Sequence, residues 1–408
     1  MMATQVTLGE VAELASGFAF KSQQFLDGKE DGVYLLRGEN VQQGFIRWGD
    51  KAKKWRQEDY EELSRYQLQK GDVILAMDRP IVGGGLKLAC IKDQDLPSLL
   101  VQRVCRIRGK HGVAGTNYLR YALSAPDFVA HIDRITTGAN IPHISGRDIS
   151  GYPLRLPELS EQDRIAGVLG AYDDLIDSNR RRVTLLEEAA RLLYREWFVR
   201  LNFPSAQRHL RSQGLPLGWA LGSVEDLASL VSRGITPIYD ESATGRVVNQ
   251  KCIRSGRLSL DAARWQSREV KADRQLQVGD VLINSTGAGT LGRVAQVRAP
   301  LQDCTVDTHI TIVRPSAPKA AAYLGVALLE KEALLSTMGV GSTNQLELPR
   351  TAISALPLLL PPEEVQTAFH DAAWPIFDMV ESLAQSNEKL KEARDSLLPK
   401  LMSGELAV

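Results

Sequence analysis

The chain has 408 residues, of which 44% are hydrophobic and 24% are charged, and its formal net charge is zero. This length exceeds what one ordinary core organises, so about two or three domains are expected, and the composition is typical of a globular protein. No apolar run approaches the roughly 18 residues that a membrane span needs, and the first residues lack a signal-peptide pattern. We therefore expect a cytoplasmic protein that has no membrane partner.

The first 158 residues mix strand-like runs with a short helical segment. Strands are predicted at 32–36, 86–91 and 102–107, where apolar residues cluster or alternate with polar ones. A helix is predicted at 117–123. Strands with interspersed helices over about 150 residues predict an α+β domain.

A long amphipathic helix is predicted next, from Glu161 to Phe198. Ser160 precedes a run of polar and acidic residues, as at a capped helix start, and no proline lies between Glu161 and Leu201. Two series that recur every seven residues form one apolar stripe. The series are Ile165, Tyr172, Asn179, Leu186 and Leu193, and Leu169, Ile176, Val183, Ala190 and Trp197.

The second half of the chain repeats the first at an offset of about 205 to 213 residues, which predicts a duplicated architecture. A strand at 308–314 and helical segments within 320–335 precede a second long helix from Pro362 to about Leu401. The repeated blocks include Leu8-Gly9-x-Val11 with Leu221-Gly222-x-Val224, Leu68-Gln69-x-Gly71-Asp72-Val73 with Leu276-Gln277-x-Gly279-Asp280-Val281, Tyr118-Leu119 with Tyr323-Leu324, and Asn179 with Asn387.

Two amphipathic helices of equal length, each unable to bury its stripe alone, are expected to pair antiparallel as a coiled coil. The alternatives are that each helix packs on its own domain or pairs with another chain. The predicted fold is α+β, with two similar globular domains separated by two long antiparallel helices in a pseudo-twofold internal repeat. The expected segments are 1–157 for the first domain, 158–203 for the central helix, 204–360 for the second domain and 361–408 for the distal helix.

Charge is distributed unevenly along the chain. Residues 1–158 carry 21 basic and 19 acidic residues, and residues 200–360 carry 18 and 13. The helical segments are acidic, with 6 basic and 8 acidic residues in 159–199 and 4 and 9 in 361–408. The modest positive excess of the two globular parts favours them as the place where a polyanion would bind.

No catalytic motif is present in the sequence. It lacks a G-x-x-x-x-G-K-[ST] phosphate loop, an H-E-x-x-H zinc motif, a G-x-S-x-G nucleophile elbow and the Asn/Asp-Pro-Pro-aromatic run of DNA amino-methyltransferases. We therefore predict a chain that is not an enzyme, with no metal site and no cofactor. Buried free thiols, rather than zinc ligands or disulfides, are expected for the widely spaced Cys90, Cys105, Cys252 and Cys304.

Polar loop tips follow the repeated strands in both halves. Their side chains are of the types that bond base edges and phosphates, although each residue alone is better explained as an ordinary loop residue. Because the tips recur while their identities differ, we predict that they bind two dissimilar short DNA sequences. The candidates are Arg79, Lys87, Gln102, Arg103, Thr137, Asn140 and His143 in the first half, and Asn284, Thr286, Arg293, His309, Thr343, Asn344 and Gln345 in the second.

In this order and in duplicate, several short motifs resemble the specificity subunits of type I restriction-modification systems over essentially the whole chain. The motifs are Leu8-Gly9-Glu10-Val11, Lys70-Gly71-Asp72-Val73-Ile74, Val101-Gln102-Arg103-Val104, Ile141-Pro142-His143-Ile144-Ser145, Leu156-Pro157 through Glu161-Gln162, Arg195-Glu196-Trp197-Phe198-Val199, and the closing Lys400-Leu401-Met402-Ser403-Gly404-Glu405-Leu406.

The resemblance implies two target recognition domains, each binding one half of a bipartite site in double-stranded DNA through the major groove, with the helix pair as a ruler. It implies two methyltransferase subunits as partners, which bind S-adenosylmethionine and methylate adenine. Restriction subunits that translocate and cut DNA with ATP and Mg²⁺ would join them. The chemistry would then belong to the partners.

Trp197 and Phe198 are predicted to touch a partner, because aromatic residues are enriched at interfaces. Among the loop residues, arginines are predicted to contact guanine and side-chain amides adenine. The competing function is a non-catalytic two-domain adaptor that binds protein partners. A bipartite nuclease is disfavoured, because no cluster of metal-binding carboxylates with a lysine can be singled out in the sequence.

Overall fold

The computed structural model describes residues 4–49, 52–136, 142–204, 211–212, 215–342 and 346–408. The chain divides into two compact units, of which unit 1 comprises residues 1–176 and 388–408 and unit 2 comprises residues 177–387. Each long helix contributes residues to both units. The segment boundaries expected at residues 157, 203 and 360 stay a prediction.

In its described residues, unit 1 combines short helices with four small sheets. Its helices are α1 (Leu8–Val11), α2 (Thr116–Ala122), α3 (Pro126–Ile135) and α4 (Gly146–Ser150). Its strands are β1 (Thr4–Thr7), β2 (Ala12–Ser16), β3 (Leu26–Asp27), β4 (Val33–Leu36), β5 (Lys53–Trp55), β6 (Val73–Ala76), β7 (Ile81–Val82), β8 (Gly85–Leu86), β9 (Leu88–Cys90), β10 (Ser98–Leu100), β11 (Val104–Gly109) and β12 (Pro153–Leu156).

The central sheet of unit 1 has the order β2-β11-β6-β9, and a second sheet has the order β10-β4-β5-β3. Strand β1 pairs with β12. Alternate residues of β6 bury on opposite faces of the central sheet, as strand geometry requires. Val73 and Leu75 face α2 and α3, whereas Ile74 and Ala76 face the second sheet.

Unit 2 contains α6 (Ala321–Glu330), α7 (Glu332–Thr337) and α8 (Arg350–Ser354). Its strands are β13 (Arg211–Ser212), β14 (Leu215–Pro216), β15 (Ala220–Ser223), β16 (Ala228–Arg233), β17 (Gly245–Val248), β18 (Ile253–Arg254), β19 (Arg257–Leu258), β20 (Arg264–Gln266), β21 (Val281–Asn284), β22 (Val294–Gln296), β23 (Cys304–Val306), β24 (Ile310–Pro315) and β25 (Pro357–Leu360).

The main sheets of unit 2 repeat those of unit 1, except that the second sheet of unit 2 has no described strand equivalent to β3. The order β16-β24-β21-β22 matches β2-β11-β6-β9, the order β20-β17-β23 matches β5-β4-β10, and β15 pairs with β25 as β1 pairs with β12. In each unit the second sheet contains one parallel pair of strands, β4 with β10 and β17 with β23. The predicted α+β class and internal repeat are therefore confirmed.

The turn before the central strand is built in the same way in both units. Gly71 has a φ of +90°, a conformation that favours glycine, and it places Asp72 under the sheet. The buried Asp72 carboxylate accepts hydrogen bonds from the Gln69 backbone N–H at 2.7 Å and from Arg108 Nη2 at 2.8 Å. Such a pair is costly to break because it would leave a buried charge. The equivalent residues of unit 2 are Gly279, Gln277, Asp280 and Arg314.

The two long helices are α5 (Leu159–Tyr194), which ends in a π-helical turn (Arg195–Val199), and α9 (Glu363–Ser403). Their 36 and 41 residues are uninterrupted. At the start of each long helix, a glutamine side chain bonds the carbonyl group of a proline five residues earlier. Gln162 Nε2 donates to the Pro157 carbonyl, and Gln366 Nε2 donates to the Pro361 carbonyl, each at 2.8 Å.

Within unit 2, α5 and α9 pair antiparallel. The buried Asn179 donates through Nδ2 to Asn387 Oδ1 at 3.0 Å. Eighteen residues further along α5 and eighteen back along α9, the rings of Trp197 and Phe369 lie 5.6 Å apart. A buried asparagine pair at such a stripe fixes the register of a coiled coil.

Within unit 1, Asp173 of α5 joins both helices to the globular part. It accepts from Arg394 Nη1 of α9 at 2.6 Å, and from the Tyr121 hydroxyl of α2 at 2.8 Å. Arg120 forms a further ion pair with the same carboxylate. One mostly buried carboxylate therefore ties three elements together.

All four cysteines are free and buried, as predicted. Among the described residues, no helix combines the length and the apolar character needed to cross a lipid bilayer.

Candidate nucleic-acid interface

Four chain segments of unit 1 meet at one edge of its central sheet. The Met77 backbone N–H donates to the Arg103 carbonyl at 2.9 Å, and the Ala76 N–H donates to the Lys87 carbonyl at 3.0 Å. The Ile144 N–H closes the edge by donating to the Met77 carbonyl at 3.0 Å. We call the resulting group of side chains the polar edge of unit 1; its members are Asp78, Arg79, Lys87, Gln102, Arg103 and His143.

Side chains of this edge are linked to one another. Asp78 Oδ1 lies 2.8 Å from His143 Nδ1 and 3.6 Å from Arg103 Nη1. Arg103 and Arg79 both have positive φ values, +67° and +45°. Non-glycine residues rarely adopt this region, and when they do the surrounding structure must hold them there. The exposed Arg79 is held by its backbone N–H, which donates to the Pro142 carbonyl at 2.7 Å.

Lys87 and Gln102 flank the linked group. Lys87 is half-buried, and burial lowers the pKa of its amine. Its backbone N–H donates to the Pro80 carbonyl at 2.7 Å. Gln102 is exposed, and its backbone N–H donates to the Phe18 carbonyl at 2.9 Å.

Unit 2 forms the same edge with the same backbone bonds. The Ser285 N–H donates to the His309 carbonyl at 2.8 Å, and the Asn284 N–H donates to the Arg293 carbonyl at 2.9 Å. The Leu348 N–H donates to the Ser285 carbonyl at 2.8 Å. We call this group the polar edge of unit 2; its members are Arg233, Thr286, Arg293, His309 and Glu347.

These bonds make residues of the two edges equivalent one for one. Each edge also depends on a glycine at the end of the first sheet strand. A Cβ on Gly17 would lie 2.3 Å from the Val101 carbonyl carbon, and a Cβ on Gly234 would lie 2.0 Å from the Val306 oxygen, so no other residue fits there without movement. The equivalent pairs are Asp78 with Thr286, Lys87 with Arg293, Arg103 with His309, and His143 with Glu347.

Polar contacts within the unit 2 edge differ from those of unit 1. Thr286 Oγ1 lies 2.6 Å from His309 Nδ1. Arg233 Nη2 donates to Glu347 Oε1 at 2.7 Å and to the Leu348 carbonyl at 2.8 Å. Equivalent backbone positions therefore present different donors and acceptors.

One predicted contact residue of unit 2 is corrected by the structure. Asn284 is fully buried, and its Nδ2 donates to the Gln250 carbonyl at 3.0 Å. The amide supports the loop from within and does not face outward. Gln250, not Asn284, is the nearer residue to solvent at this point of the edge.

Trp197 and Phe198 are also corrected. Their side chains are buried in the core of unit 2, where Phe198 lies 4.9 Å from the Phe369 ring and 4.5 Å from the Tyr323 ring. The π-helical turn takes more residues per turn than an α-helix, and both neighbours in sequence face inward there. They are not a partner-facing surface of this chain.

The remaining predicted residues divide into two groups. Thr137, Asn140, Thr343, Asn344 and Gln345 lie outside the described residues. Arg79, Lys87, Gln102, Arg103 and His143 are brought together in unit 1, as are Thr286, Arg293 and His309 in unit 2. Whether they touch DNA stays a prediction.

Sequence reasoning missed Asp78, Arg233 and Glu347 as members of the edges. Asp78 adjoins Arg79 in a loop already singled out by its polar tip, so its position was a usable signal. Arg233 and Glu347 are 114 residues apart in the chain. A glycine follows the first strand of the central sheet in both units, Gly17 after β2 and Gly234 after β16. In the sequence, only this glycine indicates that Arg233 lies at the edge.

A second surface feature lies on α5 in unit 2. Leu185 and Leu192 lie seven residues apart on α5 and are 64% and 53% exposed, and Val199, in the π-helical turn that follows, is 66% exposed. We call these three residues the helix stripe. An apolar series at helical spacing that stays exposed is typical of an interaction surface.

Residues 3–188 match the family model of the type I restriction modification DNA specificity domain. The chain is 25% identical over 391 residues to the type I restriction enzyme MjaIX specificity subunit of Methanocaldococcus jannaschii, covering 92% of this chain and 84% of that one. It is 34% identical over 187 residues to the MjaVIII specificity subunit of the same organism, but this match spans only 42% of that relative and 45% of this chain.

The fold is similar to that of the crystallised type I restriction-modification S subunit from M. genitalium, with a TM-score of 0.60, 13% identity, and coverage of 98% of this chain and 96% of that one. The two chains therefore share a fold. Residues 3–188 therefore carry a type I restriction modification DNA specificity domain, and the chain is similar over most of its length to a type I restriction enzyme specificity subunit.

Proposed function

We propose that each unit binds one short segment of double-stranded DNA at its polar edge, so that the chain recognises a bipartite target. The observation that carries this proposal is the one-for-one equivalence of the two edges. Their backbone bonds are the same, but Asp78 and Arg103 in unit 1 correspond to Thr286 and His309 in unit 2. A shared framework with different donors and acceptors suits two different base sequences.

Phosphate and base contacts fall to different residues of the edge. Lys87 and Arg293 are the equivalent basic pair, and a cation that recurs where the base-reading residues change is best suited to the phosphate backbone. Arg79 is exposed and held in a defined backbone conformation, which suits a bidentate contact with guanine.

The helices set the distance between the two half-sites in this proposal. At about 1.5 Å per residue, α5 is about 54 Å long and α9 about 61 Å. The Asn179–Asn387 bond fixes the register of the pair within unit 2. A stiff helix pair would make the unread spacer between the half-sites a property of helix length.

Two methyltransferase subunits dock on the helices and supply the S-adenosylmethionine-dependent chemistry, and restriction subunits that use ATP and Mg²⁺ join them. The helix stripe takes over the docking role that sequence reasoning gave to Trp197 and Phe198. Its three side chains are exposed on unit 2, and Leu185 and Leu192 are spaced by one heptad, as a partner helix requires.

The test of DNA recognition is selection from a random duplex library with the full chain co-expressed with the methyltransferase subunits of its own system. We expect the bound duplexes to share two short motifs at a fixed spacing. Enrichment of a single motif, or of none, would contradict the bipartite proposal.

Docking is tested separately by co-purification. Leu192→Asp should abolish capture of the methyltransferase subunit, because it places a charge in an apolar contact. Thr184→Asp is the matched control, since Thr184 is exposed on the same helix about 100° around the axis from Leu185. Equal capture by both variants would rule out the helix stripe as the docking surface.

A further inference from the structure

We propose that each unit reads the exocyclic amino group of one base, cytosine N4 or adenine N6, with a carboxylate held in place by an arginine. The carboxylate is Asp78 in unit 1 and Glu347 in unit 2. This inference rests on the proposed DNA-binding function and extends it to residues that the sequence did not single out.

The first observation is that the two edges carry a carboxylate and a histidine at different equivalent positions. Unit 1 places Asp, Arg and His at positions 78, 103 and 143, and unit 2 places Thr, His and Glu at the equivalent positions 286, 309 and 347. Arg233 reaches the unit 2 edge from the end of β16, where the equivalent residue of β2 is Ser16. In each edge, therefore, a carboxylate pairs with an arginine and a histidine lies nearby, but these side chains occupy different positions in the two edges.

The second observation is that each carboxylate is held by a guanidinium and remains open to solvent. Arg103 Nη1 lies 3.6 Å from Asp78 Oδ1, and Arg233 Nη2 lies 2.7 Å from Glu347 Oε1. The Asp78 and Glu347 side chains are 35% and 63% exposed. In the described part of the chain, the bonds to both carboxylates end on one oxygen, Oδ1 or Oε1, and the second oxygen can accept from a ligand.

A carboxylate at a DNA-facing edge needs a chemical reason, because phosphates repel it. The arginine partner reduces that repulsion, and a carboxylate accepts a hydrogen bond from a base amino group in the major groove. Guanine O6 and N7 and thymine O4 are acceptors, so a carboxylate disfavours those bases at the same place. The two carboxylates therefore act as selective acceptors for cytosine or adenine.

The neighbouring histidine fits this role in unit 1. An ionised Asp78 can only accept, so the bond at 2.8 Å requires that His143 Nδ1 carries the proton. His143 and Arg103 both contact Asp78 Oδ1, and Arg103 Nη1 also lies 3.2 Å from His143 Nδ1. In unit 2 the histidine bonds Thr286 instead, and among the described residues Arg233 is the side chain that bonds the Glu347 carboxylate.

The test uses isosteric variants of the full chain with its methyltransferase subunits. Asp78→Asn and Glu347→Gln are compared with wild type, and with the exposed carboxylates Asp31→Asn and Glu241→Gln as matched controls. Two quantities are measured, namely the base preference at every position after random-duplex selection and the affinity for a non-cognate duplex. Melting temperatures show that each variant is folded.

We expect Asp78→Asn to relax one cytosine or adenine position of one half-site by roughly 5- to 150-fold, and Glu347→Gln to relax one position of the other half-site. Non-cognate affinity should rise in both variants, because a negative charge near phosphates is removed. The control variants should change neither quantity. A uniform fall at all positions would mean that the carboxylates only support the edges, and would overturn the proposal.

Base analogues separate the two possible bases without any protein variant. A duplex with a cytosine analogue that lacks N4, or an adenine analogue that lacks N6, at the relaxed position should weaken wild-type binding and leave Asp78→Asn unaffected. If the base analogue and Asp78→Asn lowered the affinity additively, Asp78 would not contact that amino group. If wild type itself selects no DNA motif, the proposed function fails. If it selects a motif that neither variant alters, only this inference fails.

Discussion

Lengthening both helices by one heptad should lengthen the DNA spacer. We propose tandem duplication of Asp177–Val183 in α5 and of Leu383–Lys389 in α9, which repeats the heptads that contain Asn179 and Asn387. Seven residues at about 1.5 Å each add about 10.5 Å. At about 3.4 Å per base pair along the duplex, this distance corresponds to about three base pairs.

The phase of the DNA helix adds a second expectation. Three base pairs are about a third of a duplex turn, whereas one heptad leaves the coiled-coil stripe within about 20° of its original direction. Affinity should therefore fall even where the spacer lengthens. Three heptads in each helix add about 31 Å, close to one duplex turn, and should recover much of that loss.

The assay is random-duplex selection with each lengthened chain, followed by measurement of affinity for the selected duplexes. Both half-site motifs should be unchanged, and only their separation should grow. The matched control duplicates the heptad in α5 alone, which breaks the register at Asn179 and should lower the melting temperature. An unchanged spacer in the doubly lengthened chain would refute the ruler, whatever the affinity.

Three further outcomes follow from single side chains. Arg79→Ala should cost about 1–3 kcal/mol of DNA binding and relax one base position; an equal loss on cognate and one-base-variant duplexes would make Arg79 a phosphate contact instead. Asn387→Leu leaves Asn179 buried without its partner, so urea unfolding should show that the free energy of unfolding falls by about 1–3 kcal/mol. Changing both asparagines to leucine should largely restore this free energy, but it should weaken the control of helix register. Burial lowers the pKa of His370, stacked on Trp374, so the stability it contributes is present above the unfolded pKa of about 6.5 and is lost as pH falls through the lowered folded pKa. His370→Gln should flatten the pH dependence of melting in that window, and an unchanged slope would argue against the linkage.

The architecture was largely predictable because it is duplicated. The seven-residue series and the repeated Gly-Asp turns mark the helices and the central strands in the sequence. Asp72 and Asp280 show why these blocks repeat, since each aspartate bonds the same turn and the same arginine from the sheet. The predicted strand at 308–314 and the helix at 117–123 fall within one or two residues of β24 and α2.

The composition of the edges was only partly predictable, because it depends on contacts between distant residues. The sequence offers no sign that Asn284 turns inward to Gln250. Arg233 lies at the end of β16, and Glu347 lies in a loop 114 residues later in the chain. Their pairing therefore depends on the fold and not on nearness in sequence. Heptad spacing already places Trp197 in the apolar stripe, but it does not indicate that the neighbouring Phe198 also faces the core, as it does in the π-helical turn.

The bonds that close each edge are made by backbone groups and by a glycine, while the outward side chains of Arg79 and Gln102 take no part in the core. Exchange of such side chains should therefore leave the melting temperature nearly unchanged. A lineage of this chain can drift to a new target with little thermodynamic penalty, and selection on target choice acts almost independently of selection on stability.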